Sequence, residues 1–249
     1  MCVLALAWRA HPHWLLVLAA NRDELHARPA APLARWPEAD HVLAGRDLVS
    51  GGTWLGVSER GRLAVVTNLH TTRAVDPAAP SRGLLLRDLL TDSPKGHPTV
   101  ETLPAFNPFN LISVADGQAM FASNHPKAVR TLPPGIYGLS NATLDTPWAK
   151  TERLKAAVAK WLEGPRAAPE ALLEALADKT VAQAAGGPAA APVFIDNLVF
   201  GTRCSTVVAI TEEGRGVIVE RRFTAAGEPC GDLSMSFRWP APSAPPPAG

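Results

Sequence analysis

Met1-Cys2-Val3-Leu4-Ala5-Leu6-Ala7-Trp8 and, past Arg9-Ala10-His11-Pro12-His13, Trp14-Leu15-Leu16-Val17-Leu18-Ala19-Ala20-Asn21-Arg22-Asp23-Glu24 are the stretches that decide the fold. Neither apolar run alternates cleanly, so each reads as a strand buried on both faces. The polar, proline-containing break joins them as a hairpin. Cys2 then stands at the head of the first buried strand. A small second residue lets Met1 be trimmed, which would leave a cysteine carrying its own free α-amine. The amine titrates near 7.7–8.0 and the thiol near 8.5 in unperturbed peptides, both about two units or less from neutrality. One residue would then supply a nucleophile and a base, as in N-terminal threonine nucleophiles. The plainer reading, a cysteine that packs as an ordinary buried strand residue, stands beside it.

Further along, Arg28 to Asp40 reads as a Pro/Ala-rich loop. Ser50-Gly51-Gly52-Thr53 leads into a strand from Trp54 to Val57, Glu59-Arg60-Gly61 turns the chain, and Leu63 to Leu69 is the next strand. Ser81 to Leu90 has one apolar and one polar face and reads as a helix. Asn110–Ala115 and Gln118–Ala122 flank Asp116-Gly117, a hairpin-turn dipeptide, and Ile136 to Ser140 is a further strand. Pro147, with Thr146 as its N-cap, opens a helix that Gly164-Pro165 ends. Pro169 to Ala185 reads as a second helix with Leu172, Leu176 and Val181 inward. Ser205–Thr211 and Gly216–Arg222 form a hairpin about Glu212-Glu213-Gly214. Hairpins, then helices, then strands again describe an α+β layered domain over residues 1–239. Residues 240–249 form a Pro/Ala-rich tail expected to be disordered. The glycines at 51–52 lead into a strand and not a helix, so they make a poor phosphate loop.

The 249 residues carry 24 basic and 23 acidic side chains and a net charge of +1, with no basic stripe, so nucleic acid is not an expected partner. No apolar run reaches the roughly 20 residues that span a bilayer. The N-terminus lacks a basic region and a small-residue cleavage site, so it does not read as a secretory signal. Three cysteines (Cys2, Cys204, Cys230) are an odd number that suits a reducing compartment, and the cytoplasm is the expected location. His11 and His13 read as a solvated hairpin tip, and His41, His97 and His125 as loop residues. No His-Glu-x-x-His spacing occurs, so no metal site is expected. Cys204, beside Arg203, borders an apolar strand and reads as buried. Trp54 and Trp36 are the tryptophans expected near the mouth of a site.

Cys2, Asn21-Arg22-Asp23-Glu24, Gly52-Thr53-Trp54-Leu55-Gly56, Thr67-Asn68-Leu69, Gly138-Leu139-Ser140-Asn141 and Gly201-Thr202-Arg203 occur in an order that resembles the NRDE family, whose eukaryotic branch is the transport and Golgi organisation protein 2 family. The layout is also similar to the N-terminal-nucleophile hydrolases of the choloylglycine hydrolase and penicillin acylase branch. That resemblance implies a four-layer αββα sandwich with the nucleophile at the first residue of the first strand. The branch carries Gly-Arg-Asn-x-Asp at the end of its second strand. Asn21 and Asp23 match it, while the arginine falls on Ala20. If the strand runs on to residue 23, Asn21 and Asp23 share one face and Arg22 the other, so Arg22 would replace the missing arginine only if the strand has already ended.

The resemblance and the chemistry together assign roles. Cys2 attacks a carbonyl and its α-amine shuttles the proton. Asp23 holds the amine by a charge-assisted hydrogen bond, Arg203 lowers the thiol pKa, and Asn141, with the Asn68 region, faces the developing oxyanion. Asn21 and Arg22 complete the catalytic set, and Asn68, Trp54 and His70 are expected to bind substrate. The enzyme reading is an N-terminal-cysteine amidohydrolase that cleaves a C–N or thioester bond of a small acyl substrate without a cofactor. The alternative is a non-catalytic carrier or chaperone for haem or acyl/lipid ligands, since the resemblance implies links to haem handling and lipid metabolism. Cys2 or a histidine would then ligate haem iron.

Overall fold

The computed structural model describes residues 2–93, 101–164, 168–182 and 186–240. Among these residues thirteen strands form two antiparallel sheets. The first runs β10 (Gly135–Leu139), β1 (Val3–His11), β2 (Trp14–Leu25), β11 (Phe200–Thr211), β12 (Arg215–Phe223), β13 (Pro229–Arg238). The second runs in chain order: β3 (Ala30–Trp36), β4 (Ala39–Asp47), β5 (Leu55–Ser58), β6 (Arg62–Asn68), β7 (Phe109–Ala115), β8 (Gln118–Asn124), β9 (Lys127–Leu132). Helix α1 (Arg82–Leu90) covers the second sheet, and α2 (Ala149–Glu163) with the short α3 (Leu172–Leu176) covers the first.

The period-2 alternation of side chains builds the layers. Along β1, Leu4, Leu6 and Trp8 enter the core between the sheets, while Val3, Ala5 and Ala7 meet α2 and α3. β2 divides likewise, Leu16, Leu18 and Ala20 facing the second sheet and Val17 and Ala19 the helices. A third cluster lies between the second sheet and α1 through Leu85, Leu86, Leu89 and Leu90. The result is a four-layer αββα sandwich with β1 and β2 near its centre, buried on both faces. Truncating a fully buried leucine such as Leu6 or Leu18 to alanine costs about 2–5 kcal/mol.

Several boundaries differ from the sequence reading. The Pro/Ala-rich stretch from Arg28 contains β3 and the start of β4, so His41 lies in a strand. Pro32 is tolerated because β3 is a sheet edge. β9 and β13, also edges, carry mostly exposed residues and lack the apolar alternation that marks a strand. Helix α2 starts two residues after Pro147 with Trp148 as N-cap, and the Thr146 hydroxyl instead donates to the Thr143 carbonyl. The second helical segment is a 3-10 turn (Pro169–Ala171) followed by α3, with Leu172 and Leu176 buried and Val181 exposed. The remainder of that expected helix at 183–185, His97 and the tail at 241–249 lie outside the described residues.

Candidate active site

β2 does not end before the Asn-Arg-Asp-Glu run; it continues to Leu25. The β1–β2 register pairs Leu4 with Ala20 and Val3 with Asn21, and one more step sets Cys2 opposite Arg22. Cys2 and Arg22 therefore share the inter-sheet face with Leu4 and Ala20. This corrects the geometric condition placed on Arg22: the strand runs on, and Arg22 lines the same cleft as the thiol because the two share a face. Ala20 and Arg22 also share a face, so a guanidinium is present one alternation further along than the expected arginine. The Arg22 Nη2 donates to Asp47 Oδ2 at 3.0 Å, and the guanidinium stacks 4.3 Å from the Trp54 ring centroid. Its Nη1 is buried without a hydrogen-bond partner.

Arg28 adds two hydrogen bonds to the same carboxylate, at 2.6 and 3.0 Å. Burial pushes the Asp47 carboxyl up, but the bonds from Arg28 and the Ser50 N–H and the charges of both arginines leave it below the ordinary carboxylate value. Burial pushes the Cys2 thiol up, and the Asp23 charge adds to this; the Asp23 backbone N–H and the Arg22 charge oppose it. Arg22 is thus a guanidinium whose field favours the thiolate.

Asp23 points to the helix side of β2, where it is 4% exposed. The Thr202 hydroxyl donates to its Oδ1 at 2.7 Å. Burial lifts its carboxyl to about 6, against the Thr202 bond and the Lys150 charge. The head of β1 is fixed from the other side by Ser140, whose hydroxyl donates to the Cys2 carbonyl at 2.6 Å. Ser140 stands within the Gly138-Leu139-Ser140-Asn141 stretch but has no role assigned from the sequence, and Lys150 has no signal there at all. A serine in a turn and a lysine in an amphipathic helix carry no distinguishing signal.

Cys2 and Arg22 line a cleft of about 330 Å³ with Asp23, Trp54, Asn68 and Arg82. Arg82 reaches it because α1 begins hard against the β4–β5 turn, where a Cβ on Gly52 would stand 2.1 Å from the Gly83 carbonyl carbon. A neighbouring pocket of about 380 Å³ is lined by Asn68, Leu69, His70, Asn141, Pro188 and Phe200. Asn68 belongs to both. Asn141 Nδ2 donates to the Asn68 carbonyl at 2.7 Å and the His70 N–H to the Asn141 carbonyl at 2.9 Å. An amide nitrogen has two N–H donors, so one remains for a ligand. Burial pushes the His70 imidazole below its ordinary pKa, and the Lys150 charge adds to this.

Three expectations are corrected. Arg203 does not stand beside the thiol: its Nη1 donates to the carbonyls of Leu25, His26 and Arg28, bracing the turn after β2. Asn21 has no free amide for chemistry, because Nδ2 donates to the Leu176 and Val193 carbonyls and Oδ1 accepts from the Ser205 hydroxyl. Trp36 is not near the mouth; it is buried beneath α1, its Nε1 donating to the Ala44 carbonyl. Cys204 is buried as expected, and burial raises its thiol well above the ordinary value. His11 and His13 flank the hairpin tip, the His13 N–H reaching the His11 ring at 3.2 Å. Among the described residues no group of three His, Cys, Asp or Glu is placed to hold a metal ion, and no helix is long and apolar enough to cross a membrane.

Two antiparallel sheets between helical layers, with a cysteine heading a central strand, define an N-terminal-nucleophile-hydrolase-like fold. A family model described as Transport and Golgi organisation 2 matches residues 1–225. The Transport and Golgi organization protein 2 homolog of Bos taurus is 32% identical over 256 residues, covering 89% of this chain and 92% of that protein. The Homo sapiens homolog is 30% identical with the same coverage. The chain belongs to the Transport and Golgi organisation 2 family. Among solved structures, the Caenorhabditis elegans ortholog of N-acylethanolamine-hydrolyzing acid amidase is similar at 12% identity and a TM-score of 0.49, covering 83% of this chain and 92% of that one. The C2A mutant of the conjugated bile acid hydrolase from Clostridium perfringens is similar at 10% identity and a TM-score of 0.47, covering 96% and 97%.

Proposed function

We propose that this chain is an N-terminal-cysteine hydrolase that cleaves an amide or thioester bond of a small acyl substrate. The observation that carries the reading is Cys2 at the head of β1, open to a cleft, with Arg22 across the strand pair and Asp23 beside it. Removal of Met1 would free the Cys2 α-amine. The amine takes the thiol proton, sulfur attacks the carbonyl carbon, and the oxyanion is met by the unpartnered Nη1 of Arg22, which lines the same cleft, or by the spare N–H of Asn141, reaching from the neighbouring pocket that shares Asn68. Collapse breaks the C–N or C–S bond, and the amine returns its proton to the leaving group. Water then adds to the acyl-sulfur bond, giving its proton to the amine; the acid departs and the thiol reforms. Asp23 orients the amine throughout.

The test joins intact mass with chemistry. The mature protein is expected to lack Met1, to form an adduct at Cys2 with an electrophilic acyl probe, and to turn over a member of an acyl-amide and thioester panel. Cys2→Ala should lose adduct and turnover together. Retention of Met1 in the mature protein excludes the mechanism, because an amide nitrogen accepts no proton.

The carrier reading for haem draws less support from these residues. Iron ligation by sulfur needs a thiolate, and burial works against one at Cys2. His70 opens on the neighbouring pocket, so it and Cys2 do not face one cavity as a pair of iron ligands. A haem titration monitored by absorbance, with no shift at stoichiometric ligand, would remove that alternative.

A further inference from the structure

Lys150 is wholly buried in the first turn of α2. β10 runs so close to that turn that a Cβ on Gly138 would stand 2.3 Å from Thr151 Cγ2. Among the described residues the Lys150 Nζ has no hydrogen-bond partner, and it lies 5.5 Å from the Trp148 ring centroid. An unpaired buried ammonium is costly, and a leucine or methionine would fill the space without that cost. Neighbouring charges on its own helix are engaged elsewhere: Lys155 pairs with Asp145 at 3.0 Å and approaches Glu152. Helix α2 packs on the face of β1 and β2 to which Asp23 points, so the titratable groups that share Lys150's field are Asp23 on β2, Cys2 at the head of β1, and His70 after β6.

We propose that Lys150 is a positioning residue that balances the Asp23 carboxylate, so that the Cys2 α-amine stays neutral once Met1 is removed. This rests on the hydrolase reading above and supplies what that reading lacks. An amine beside an uncompensated buried carboxylate becomes a tightly held ammonium, which cannot take the thiol proton. With Lys150 as the counter-ion, Asp23 accepts a hydrogen bond from the amine without forcing a charge onto it. Two cations and one anion in one desolvated site are disfavoured, and the mobile proton is the one that leaves. Burial lowers the affinity of Lys150 for its proton, while the charges of Asp23 and Cys2 work to retain it.

The test titrates the N-terminal amine directly. A protein cleaved to begin at residue 2, with Cys2→Ser to remove the coupled thiol, is followed by NMR across pH. Lys150→Met is expected to raise the amine pKa by about one unit or more, and Lys150→Arg to leave it near wild type. In the Cys2 protein, Lys150→Met should then react with an acyl probe about tenfold more slowly at neutral pH, the gap closing as pH rises. A folded Lys150→Met protein with an unmoved amine titration overturns the proposal. Should Lys150→Met not fold, Asp23→Asn decides: the amine should fall below its ordinary value of about 7.7–8.0, and an amine at or above that value overturns the proposal. The amine titration is read without turnover. A shifted amine in a protein that hydrolyses nothing supports the role of Lys150 while the hydrolase reading fails.

Discussion

Replacing Asp23 by asparagine should make the protein more stable at neutral pH while abolishing the proposed hydrolysis. Burial raises the Asp23 carboxyl from 3.8 to about 6. A folded state that holds its proton more tightly than the unfolded chain loses stability as pH climbs through that interval. At about 1.4 kcal/mol per pKa unit, ionising Asp23 costs the fold about 3 kcal/mol by pH 7, and none of it below pH 3.8. Asparagine keeps an oxygen to accept from Thr202, packs in the same volume and never ionises. The assay is urea unfolding of wild type and Asp23→Asn at intervals from pH 3.5 to 7.5, on protein with the same N-terminus. Groups that do not touch Asp23 cancel in the difference. The variant should gain on wild type by about 3 kcal/mol from the acid to the neutral end, with most of the change between about pH 4 and 6. A difference flat with pH, or one that favours wild type increasingly toward neutrality, would refute the reasoning that Asp23 is an expensive residue kept for function.

Arg22→Met leaves Asp47 buried with Arg28 as its remaining cation. It should lower stability by about 3 kcal/mol, the lower end for breaking a buried pair, and slow Cys2 alkylation near neutral pH; the checks are a thermal melt and the rate with iodoacetamide. Asn141→Ala should reduce turnover by about 100- to 1,000-fold if its spare N–H meets the oxyanion, measured as kcat on the substrate identified from the acyl panel. Arg203→Ala should behave oppositely. It removes hydrogen bonds that brace the turn after β2, so denaturant unfolding should show a loss of about 1–3 kcal/mol, while the Cys2 labelling rate of folded protein stays unchanged.

What the sequence made legible follows from where its signals are physical. β1 and β2 stand out because both faces are buried and almost every residue is apolar. β7 and β8 stand out because Asp116-Gly117 marks their turn, and both Asp116 and Gly117 have positive φ. β3, β9 and β13 are hidden because an edge strand has little to bury, and β13 has eight of its ten residues exposed. The Asn-Arg-Asp-Glu run leaves open in the sequence whether the strand has ended, because polar residues end most strands, whereas here Asn21, Arg22 and Asp23 are only 2%, 6% and 4% exposed and each finds polar partners. Cys2, Asp23, Asn68 and Trp54 do meet at one cleft. Asn141 and His70 are brought to its neighbour, and Arg203 is not brought to either. Lys150 was illegible: nothing in Pro147-Trp148-Ala149-Lys150 distinguishes a buried ammonium from a solvated one.

The tetrapeptide that marks this chain is better understood as a strap with two faces than as a catalytic unit of four. Alternation sends Arg22 between the sheets, where Asp47 and Trp54 hold it across from Cys2. It sends Asn21 and Asp23 toward the helices. Asn21 spends its amide tying β2 to the end of α3, to Val193 and to β11. Asp23 takes the Thr202 hydroxyl of β11, and Glu24 closes on the Leu25 N–H at 2.9 Å. Only Arg22 and Asp23 reach the head of β1, one from each side of the sheet. A strand at this position must therefore carry a cation and an anion on opposite faces and adjacent positions. An arginine at 22 preserves the face that the resemblance expects of one at 20, while an arginine at 21 would carry its guanidinium to the helix side.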